Sequence, residues 1–230
     1  MATINASKWG YIGYVGGATH ATARDATSGT LLASNITTDY SQSIAYVAVI
    51  SGRGSQFNIY RTFYYFDTSS INSTVTSCTL NIKGVVNGSA NSIVLESFAF
   101  GGGGGSNLVV GDYNKFYFNT AYSSLFSTWS SSSVNSITLN ATALSDMETQ
   151  NFLILSVIEY DRDYSNSAAT ASTTLQNGIA WSQSTDRGYL DYTLSGGPTS
   201  ISSLNGVSSA SLSQISSVTY TGIDEINTVS

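Results

Sequence analysis

Three acidic residues in the second half of the chain alternate along the sequence. Glu159, Asp161 and Asp163 are each separated by one residue, so on a β-strand their carboxylates face the same way. A row of carboxylate oxygens can bind a hard cation such as calcium. Because Arg162 interrupts the run and no loop of liganding spacing surrounds it, the pattern favours a solvated strand end, with a calcium site as the alternative.

Other residues with catalytic potential are isolated in the sequence. His20 is the only histidine and has no acid or nucleophile signature nearby, so we expect a surface or turn residue rather than a member of a Ser-His-Asp triad. Cys78 is the only cysteine, which excludes an intrachain disulfide and a cysteine-based metal cluster. Because Cys78 shares a strand face with Leu80 and Ile82, we expect a small core residue.

A run of five glycines at 101–105 invites comparison with a phosphate-binding loop. A phosphate cradle needs a following helix and usually a lysine, whereas residues 106–110 have the composition of another strand. We therefore expect a plain loop. The sequence predicts no catalytic residue, no metal and no cofactor, and hence a protein that is not an enzyme.

The charge of the chain argues against two classes of partner. The 230 residues include 8 basic and 14 acidic side chains, and the pI is near 4.4. Nucleic acids and anionic membranes attract clustered Lys and Arg, which here are scattered singly, so neither is an expected partner. The N-terminus lacks the basic and apolar segments of a signal peptide, so we expect synthesis in a cytoplasm.

Aromatic side chains crowd into the segment 112–129. Sugar rings stack on exposed Tyr and Trp, and protein interfaces favour the same residues. In a sandwich, alternate aromatics fill the core instead, so surface contact and core packing both remain open. The candidates for contact with a glycan or a protein are Tyr113, Tyr117, Tyr122 and Trp129.

Strand signals dominate the rest of the chain. Short segments rich in β-branched and aromatic residues are bounded by Gly, Ser, Asn or Asp, and one short helical turn is expected at 143–147. The predicted strands are 44–50, 57–66, 76–82, 93–100, 136–140, 152–159 and 189–193. Many short strands with frequent turns predict an all-β fold, a jelly-roll-like antiparallel β-sandwich over residues 1–197.

The C-terminal segment 198–230 has a different pattern. Aliphatic residues recur in it at a spacing of eleven, which marks an internal repeat. They are Ile201, Leu204, Val207, Leu212, Ile215, Val218, Ile223, Ile226 and Val229. This spacing matches a helix of about 3.67 residues per turn, but the intervening Ser, Thr, Gly and Asn are poor helix formers. We predict an assembly or anchoring tail, with a tail packed on its own domain as the alternative.

One segment resembles a known family of modules. Arg61 leads an aromatic strand that ends at Asp67, a Ser/Thr turn follows, and the next strand carries Cys78 before Thr79. Over roughly residues 40–195 the chain is similar to the DNRLRE-type β-sandwich modules, which resemble some carbohydrate-binding modules. The resemblance implies a fold and a binding role, with Asp67 accepting hydrogen bonds from backbone amides of the turn.

A second resemblance lies in the tail. Leu204-Asn205-Gly206-Val207 is similar to the Ile-Asn-Gly-Val repeats that end some phage structural proteins. Together the resemblances imply a virion structural protein, a capsid decoration or a head or tail fibre component. We expect it to form a homo-oligomer, a trimer, and to contact other virion proteins such as the major capsid protein. The alternative is a carbohydrate-binding or adhesin module that recognises surface glycans through exposed aromatics.

Overall fold

The chain divides into two compact units, Met1–Thr193 and Leu194–Ser230. The computed structural model describes residues 1–34, 44–51, 56–102, 106–170, 174–180, 187–195, 203–204 and 207–208. Strands are the main secondary structure of the first unit. They are β1 (Ala2–Asn5), β2 (Lys8–Gly17), β3 (Leu31–Ser34), β4 (Ile44–Ser51), β5 (Phe57–Asp67), β6 (Val75–Gly88), β7 (Ser92–Ser97), β8 (Phe116–Ala121), β9 (Val134–Thr138), β10 (Phe152–Glu159), β11 (Thr174–Ala180) and β12 (Tyr189–Leu194).

These strands form two antiparallel sheets packed together as a β-sandwich. Sheet A has the strand order β1-β12-β6-β9. In sheet B, β3 pairs with β2, and β2 pairs with β5. Strand β5 also pairs with β10, which is followed by β7 and β8, and with β4, which is followed by β11. Strand β6 belongs to both sheets, because its first part pairs with β9 and its last part with β11. The all-β, antiparallel β-sandwich predicted from the sequence is confirmed.

Strands β5 and β10 lie inside sheet B, where each is buried along most of its length. The sequence of β10 is almost wholly apolar, as is typical of strands covered on both faces. Strand β10 pairs with β5 on one side and β7 on the other, and it is buried from Leu153 to Glu159. Along β5, side chains alternate between the faces: Ile59 and Phe63 join one buried cluster, and Tyr64 points the other way.

Each face of β5 is covered by a different part of the fold. The Tyr64 ring packs closely against Gly188, the residue just before β12 of sheet A. A Cβ added to Gly188 would lie only 2.3 Å from the Cε1 atom of Tyr64. The opposite face is covered by helix α1 (His20–Arg24) and by segments between strands. The buried residues of this second face are Ile12, Ala23, Phe57, Ile59, Phe63, Ile93, Leu95, Ala99, Phe100, Leu108, Tyr113, Phe116, Ile154, Ile158 and Ala169.

Several elements are missing from the sequence prediction or differ from it. Strands β1, β2, β3, β8 and β11 were not predicted. Strand β2 contains four glycines, which lower strand propensity, and its pairing with β3 and β5 outweighs this effect. The predicted turn at 143–147 is part of a longer helix, α2 (Ala141–Thr149). Asn140 caps it by accepting a hydrogen bond from the Ala143 N–H, as Asn commonly does at a helix N-terminus.

The strand predicted at 106–110 is wrong. A 3₁₀ turn, Val110–Asp112, begins at its end, and the buried Asp112 carboxylate accepts hydrogen bonds from the N–H groups of Phe100 and Val109 at 3.2 and 3.1 Å. These bonds tie the segments on either side of the glycine run together. Gly101 and Gly102, the described part of the run, have φ of 77° and 72°, a region that glycine adopts without steric penalty.

In the second unit, the described backbone is a pair of short antiparallel strands, β13 (Ser203–Leu204) and β14 (Val207–Ser208). Leu204 lies opposite Val207, so the first repeat forms paired strands here and not a helix. The remaining aliphatic positions lie outside the described residues: Ile201, Leu212, Ile215, Val218, Ile223, Ile226 and Val229.

Strand β6 passes from sheet A to sheet B at Gly84, where the pairing register with β11 shifts. A Cβ on Gly84 would lie 1.9 Å from the Ser130 carbonyl oxygen and 2.7 Å from Asn135 Nδ2. A side chain at this position therefore forces backbone to move.

We predict that Gly84→Ala lowers the free energy of unfolding by about 1–3 kcal/mol, the usual cost of overpacking. Gly111→Ala is the matched control, because no atom lies within 4 Å of its added Cβ. Chemical denaturation of both variants measures the difference. Equal effects of the two substitutions would contradict this role of Gly84.

Candidate functional site

A fully buried arginine lies on strand β5, in the apolar face opposite sheet A. Arg61 has no exposed surface and stands between Ile59 and Phe63 on the same face. A buried guanidinium must be paired and hydrogen-bonded, because an isolated buried charge is very costly. Its surroundings therefore form the most constrained polar cluster of the described chain.

The partner of Arg61 is Asp163, which is equally buried. The guanidinium donates two hydrogen bonds to the carboxylate, from Nε to Oδ2 at 2.7 Å and from Nη2 to Oδ1 at 2.6 Å. It also donates to the carbonyl oxygens of Tyr113 at 3.1 Å and Arg24 at 2.8 Å. This two-pronged geometry is the strong form of an Arg–carboxylate pair. Arg61 thus connects β5 to three other segments.

Aromatic rings enclose the guanidinium on its remaining sides. The Arg61 Cζ atom lies 4.1 Å from the ring centre of Tyr113, 4.9 Å from that of Phe116 and 5.8 Å from that of Phe118, within the range of cation–π attraction. Burial by itself lowers the pKa of Arg61, but the charge of Asp163, its hydrogen bonds and the neighbouring Tyr113 and Asp25 together outweigh this effect, so the net pKa is raised. The arginine is permanently charged and out of reach of solvent.

Asp163 is held in place by a short π-helix, Tyr160–Tyr164, that follows β10. The buried Glu159 carboxylate caps this turn by accepting hydrogen bonds from the N–H groups of Asp161, Arg162 and Asp163 at 2.6, 2.7 and 3.0 Å. Burial raises the pKa of Glu159 to about 7, although the three N–H groups oppose the shift.

The acidic row, Glu159, Asp161 and Asp163, therefore has a different role from the two that the sequence suggested, a solvated strand end or a calcium site. Glu159 ends a strand, but Asp161 and Asp163 lie in the π-turn, so the three carboxylates do not share a face. Asp161 accepts a hydrogen bond from Asn91 Nδ2 at 2.9 Å, and the other two carboxylates have the partners described above. The predicted solvated strand end is wrong. Within the described ranges, no group of three or more His, Cys, Asp or Glu could hold a metal ion.

His20 is buried, so the predicted surface position is wrong. It begins helix α1 with 6% of its surface exposed, and its ring meets that of Phe57 edge-on. Burial lowers its pKa. The described residues provide no hydrogen-bond partner for its Nε2.

Three of the four candidate aromatics belong to the core. Tyr113, Tyr122 and Trp129 are at most 4% exposed, and a buried ring has no face for a sugar. Tyr113 donates a hydrogen bond from its OH to the Ala23 carbonyl at 2.7 Å, and the Tyr122 OH donates to Asp146. Of the four, Tyr117 alone is exposed, at 44%. Tyr113, Tyr122 and Trp129 lie outside β8, and along β8 itself the faces alternate, with Phe116 buried and Tyr117 exposed.

Two other residues behave as expected. Cys78 is buried in the core, where burial raises the pKa of its thiol to about 12. Asp67 accepts hydrogen bonds from the backbone N–H and the hydroxyl of Ser69 at 3.0 and 2.6 Å, which confirms its predicted role in the turn. Both residues carry the family resemblance, and both have structural roles here.

A second polar array crosses the outer face of sheet A. Thr3 donates from its hydroxyl to Asp191 Oδ1 at 2.6 Å, Asn81 Nδ2 donates to Asp191 Oδ2 at 3.3 Å, and Ser136 donates to Asn81 Oδ1 at 2.6 Å. We call these four residues the polar row; it takes one side chain from each of β1, β12, β6 and β9. The row joins the strands of sheet A side by side.

Fold and site together define a β-sandwich domain with an internal arginine–aspartate pair. Neither the models of known protein families nor the curated proteins contain a match to this sequence. None of the described helices has the length and apolar character needed to cross a membrane.

Sequence reasoning missed the arginine–aspartate pair. Arg61 and Asp163 are 102 residues apart, so no local pattern connects them. The available signal was a charged residue inside an apolar strand, since such a residue must find a buried partner. That signal predicts a partner without saying which residue supplies it.

Removing one member of the pair leaves the other as an unpaired buried charge. We predict that Arg61→Met and Asp163→Asn each lower the free energy of unfolding by about 3–5 kcal/mol. The control is Asp25→Asn, which breaks the Arg24–Asp25 pair whose Asp25 side chain is 57% exposed. Its cost should stay below about 1 kcal/mol. Denaturant titration measures all three; a cost for Asp163→Asn as small as that of the control would contradict the structural role of the pair.

The raised pKa of Glu159 predicts a pH dependence of stability. Between its ordinary pKa of 4.5 and its folded value of about 7, the folded state holds a proton that the unfolded state has released. The contribution of Glu159 to stability is therefore present below pH 4.5 and is lost as the pH rises to 7. We expect the free energy of unfolding of Glu159→Gln, compared with that of the native chain, to lack this decline. Parallel slopes for the two proteins would show that Glu159 does not titrate in this window.

Proposed function

We propose that the protein is a non-enzymatic structural component that acts by packing against other protein subunits. The observation that carries this proposal is the tail repeat in 198–230, in which a group of three aliphatic residues recurs every eleven residues and gives nine such residues in all. A unit of this size cannot bury nine aliphatic side chains by itself. Such a stripe requires a partner surface, and self-association is the simplest source of one.

The described start of the tail supports a β-type assembly. Strands β13 and β14 pair with Leu204 opposite Val207, and the sequence places Asn205-Gly206 between them, the pair preferred in two-residue hairpin connections. The corresponding pairs are Ser216-Ser217 and Asn227-Thr228 in the next two repeats. A tail of this kind presents its aliphatic residues at regular intervals to neighbouring subunits.

The chemistry of the first unit also supports a structural role. Arg61, Asp163 and Glu159 are buried, and their hydrogen bonds join segments of the fold. The side chains with the strongest polar interactions therefore stabilise the domain. This supports an assembly role over catalysis.

The setting we propose is a virion, with the protein as a capsid decoration or a head or tail fibre component. This rests on the likeness of Leu204-Asn205-Gly206-Val207 to the tail repeats of phage structural proteins. The partners proposed are further copies of the chain, as a trimer, and other virion proteins such as the major capsid protein. A low charge content, at 10% of residues, favours close packing of many copies.

We predict that the tail stripe is required for assembly. Replacing Leu204 and Ile215 by Ser should lower the oligomer mass measured by sedimentation velocity, because it removes apolar contact area from the stripe. The matched control replaces Ser202 and Ser213, which lie outside the stripe, by Ala. Removal of residues 199–230 should have the larger effect. An unchanged mass after this removal would contradict the proposal.

One observation favours glycan binding as the second candidate function. Tyr117 is 44% exposed and its ring centre lies 4.8 Å from that of Phe98. The amine of Lys115 lies 5.6 Å from the centre of the Phe98 ring. An exposed aromatic face beside an amine can stack against a sugar and bind its polar groups.

A glycan array tests this second candidate. Selective binding that disappears in Tyr117→Ala and persists in Leu125→Ala is the expected result for a lectin-like role. Leu125 is the control because it is exposed to a similar extent, at 46%, but carries no ring. If the native chain binds no glycan on the array, this candidate is excluded.

A further inference from the structure

Strand β9 lies at one edge of sheet A and has a regular alternating pattern. It pairs with β6 on its inner side, and no described strand pairs with its outer side. Val134, Ser136 and Thr138 are exposed, whereas Asn135 and Ile137 are buried. An edge of this kind presents unpaired backbone groups to any strand that approaches it.

The hydrogen bonds around β9 show which backbone groups face outward. Leu139 donates its N–H to Cys78 of β6, and the Ser133 carbonyl accepts from Gly84 of β6. The backbone groups of odd-numbered residues therefore point toward β6, and those of Val134, Ser136 and Thr138 point away from it, because the two directions alternate in an antiparallel ladder. The Asn140 N–H, next in the outward series, is bonded to the Tyr122 carbonyl. The available edge thus extends from Val134 to Thr138.

The sequence of β9 contains none of the features that protect such edges. Monomeric β proteins block edge pairing with charged side chains, proline or bulges. The residues of β9 are Val, Asn, Ser, Ile and Thr, and their pairing with β6 is continuous. The nearest charged side chain on β6 is Lys83, opposite Val134 at the start of the strand, and it is bonded to the Ser132 carbonyl at 2.8 Å. The centre of the edge is uncharged.

The polar row ends at the middle of this edge, on Ser136. Its hydroxyl donates to Asn81, so its oxygen can still accept a hydrogen bond from beyond the sheet. When two antiparallel β9 strands meet about a twofold axis at Ser136, the polar row of one copy runs into that of the other. We propose that the outer edge of β9 is the pairing surface for β9 of a second copy of this chain.

The symmetric arrangement satisfies every group that the edge presents. The outward N–H and C=O of Ser136 meet those of Ser136 in the second copy, and Val134 lies beside Thr138 of the second copy. The two Lys83 side chains lie at opposite ends of the joined strands, so no like charges face each other. Both sheets A then form one continuous sheet, in which each copy uses the same surface, as an isologous contact requires.

The test uses the full chain with substitutions at Ser136, whose side chain is exposed. Ser136→Lys places two positive charges opposite each other on the twofold axis, which opposes pairing. Ser136→Ala is the control, because it removes the same hydrogen bond to Asn81 without adding charge. Ser136→Glu provides the complementary charge. Sedimentation velocity gives the mass of each protein and of an equimolar mixture of the Lys and Glu variants, and circular dichroism checks that each is folded.

The native chain and Ser136→Ala should have the same mass, an even multiple of the monomer mass, so that trimers held by the tail and joined in pairs through β9 have the mass of a hexamer. Ser136→Lys and Ser136→Glu should each reduce it by at least a factor of two, whatever contacts the tail makes. Mixing the two charged variants should restore it, because opposite charges then meet across the axis. An unchanged mass in Ser136→Lys, or a mixture that stays dissociated, overturns the proposal; the second result means that a different segment occupies the edge.

Discussion

The fold of this protein depends on how a charged side chain is accommodated inside an apolar sheet. Strand β5 supplies residues to both buried faces of sheet B, and one of those residues is Arg61. The guanidinium is tolerated because Asp163, two carbonyl oxygens and three aromatic rings satisfy it from different directions. Asp163 and the two carbonyl groups come from segments outside the sheet, and the rings of Phe116 and Phe118 come from β8. The requirements of one side chain therefore fix the positions of several segments.

The same constraint explains the local structure after β10. Asp163 reaches Arg61 from a π-turn, and the Glu159 carboxylate holds that turn through three backbone N–H groups. A buried ion pair of this kind contributes less to stability than to uniqueness, since a well-packed apolar replacement is often as stable. We therefore interpret the pair as the element that selects one arrangement of the covering segments. On this interpretation, the buried charged groups Arg61, Asp163 and Glu159 have a structural role. The exposed surface and the tail are then the parts of the protein that contact partners.

Sequence reasoning predicted the elements that depend on local pattern. The apolar run of β10 and the core position of Cys78 follow from composition and spacing, whereas the turn at Asp67 follows from the family resemblance. It was wrong where contacts between residues distant in sequence determine whether a side chain is buried. The burial of the acidic row depends on Arg61, and His20 is buried by the tertiary fold. The aromatics between 112 and 129 show the same limit, because Tyr113 and Tyr122 are buried against residues distant in sequence, Ala23 and Asp146. The polar row could not be predicted from the sequence either, because its members come from four strands that are distant in sequence.

Native-state hydrogen exchange at the π-turn tests the central claim most directly. The N–H groups of Asp161, Arg162 and Asp163 are bonded to the buried Glu159 carboxylate. If the arginine–aspartate pair fixes this turn to the sandwich, these amides exchange only when the whole domain unfolds, with the same free energy as the amides of β5 and β10. Exchange of the turn amides at a much lower free energy than those of β5 and β10 would contradict the account.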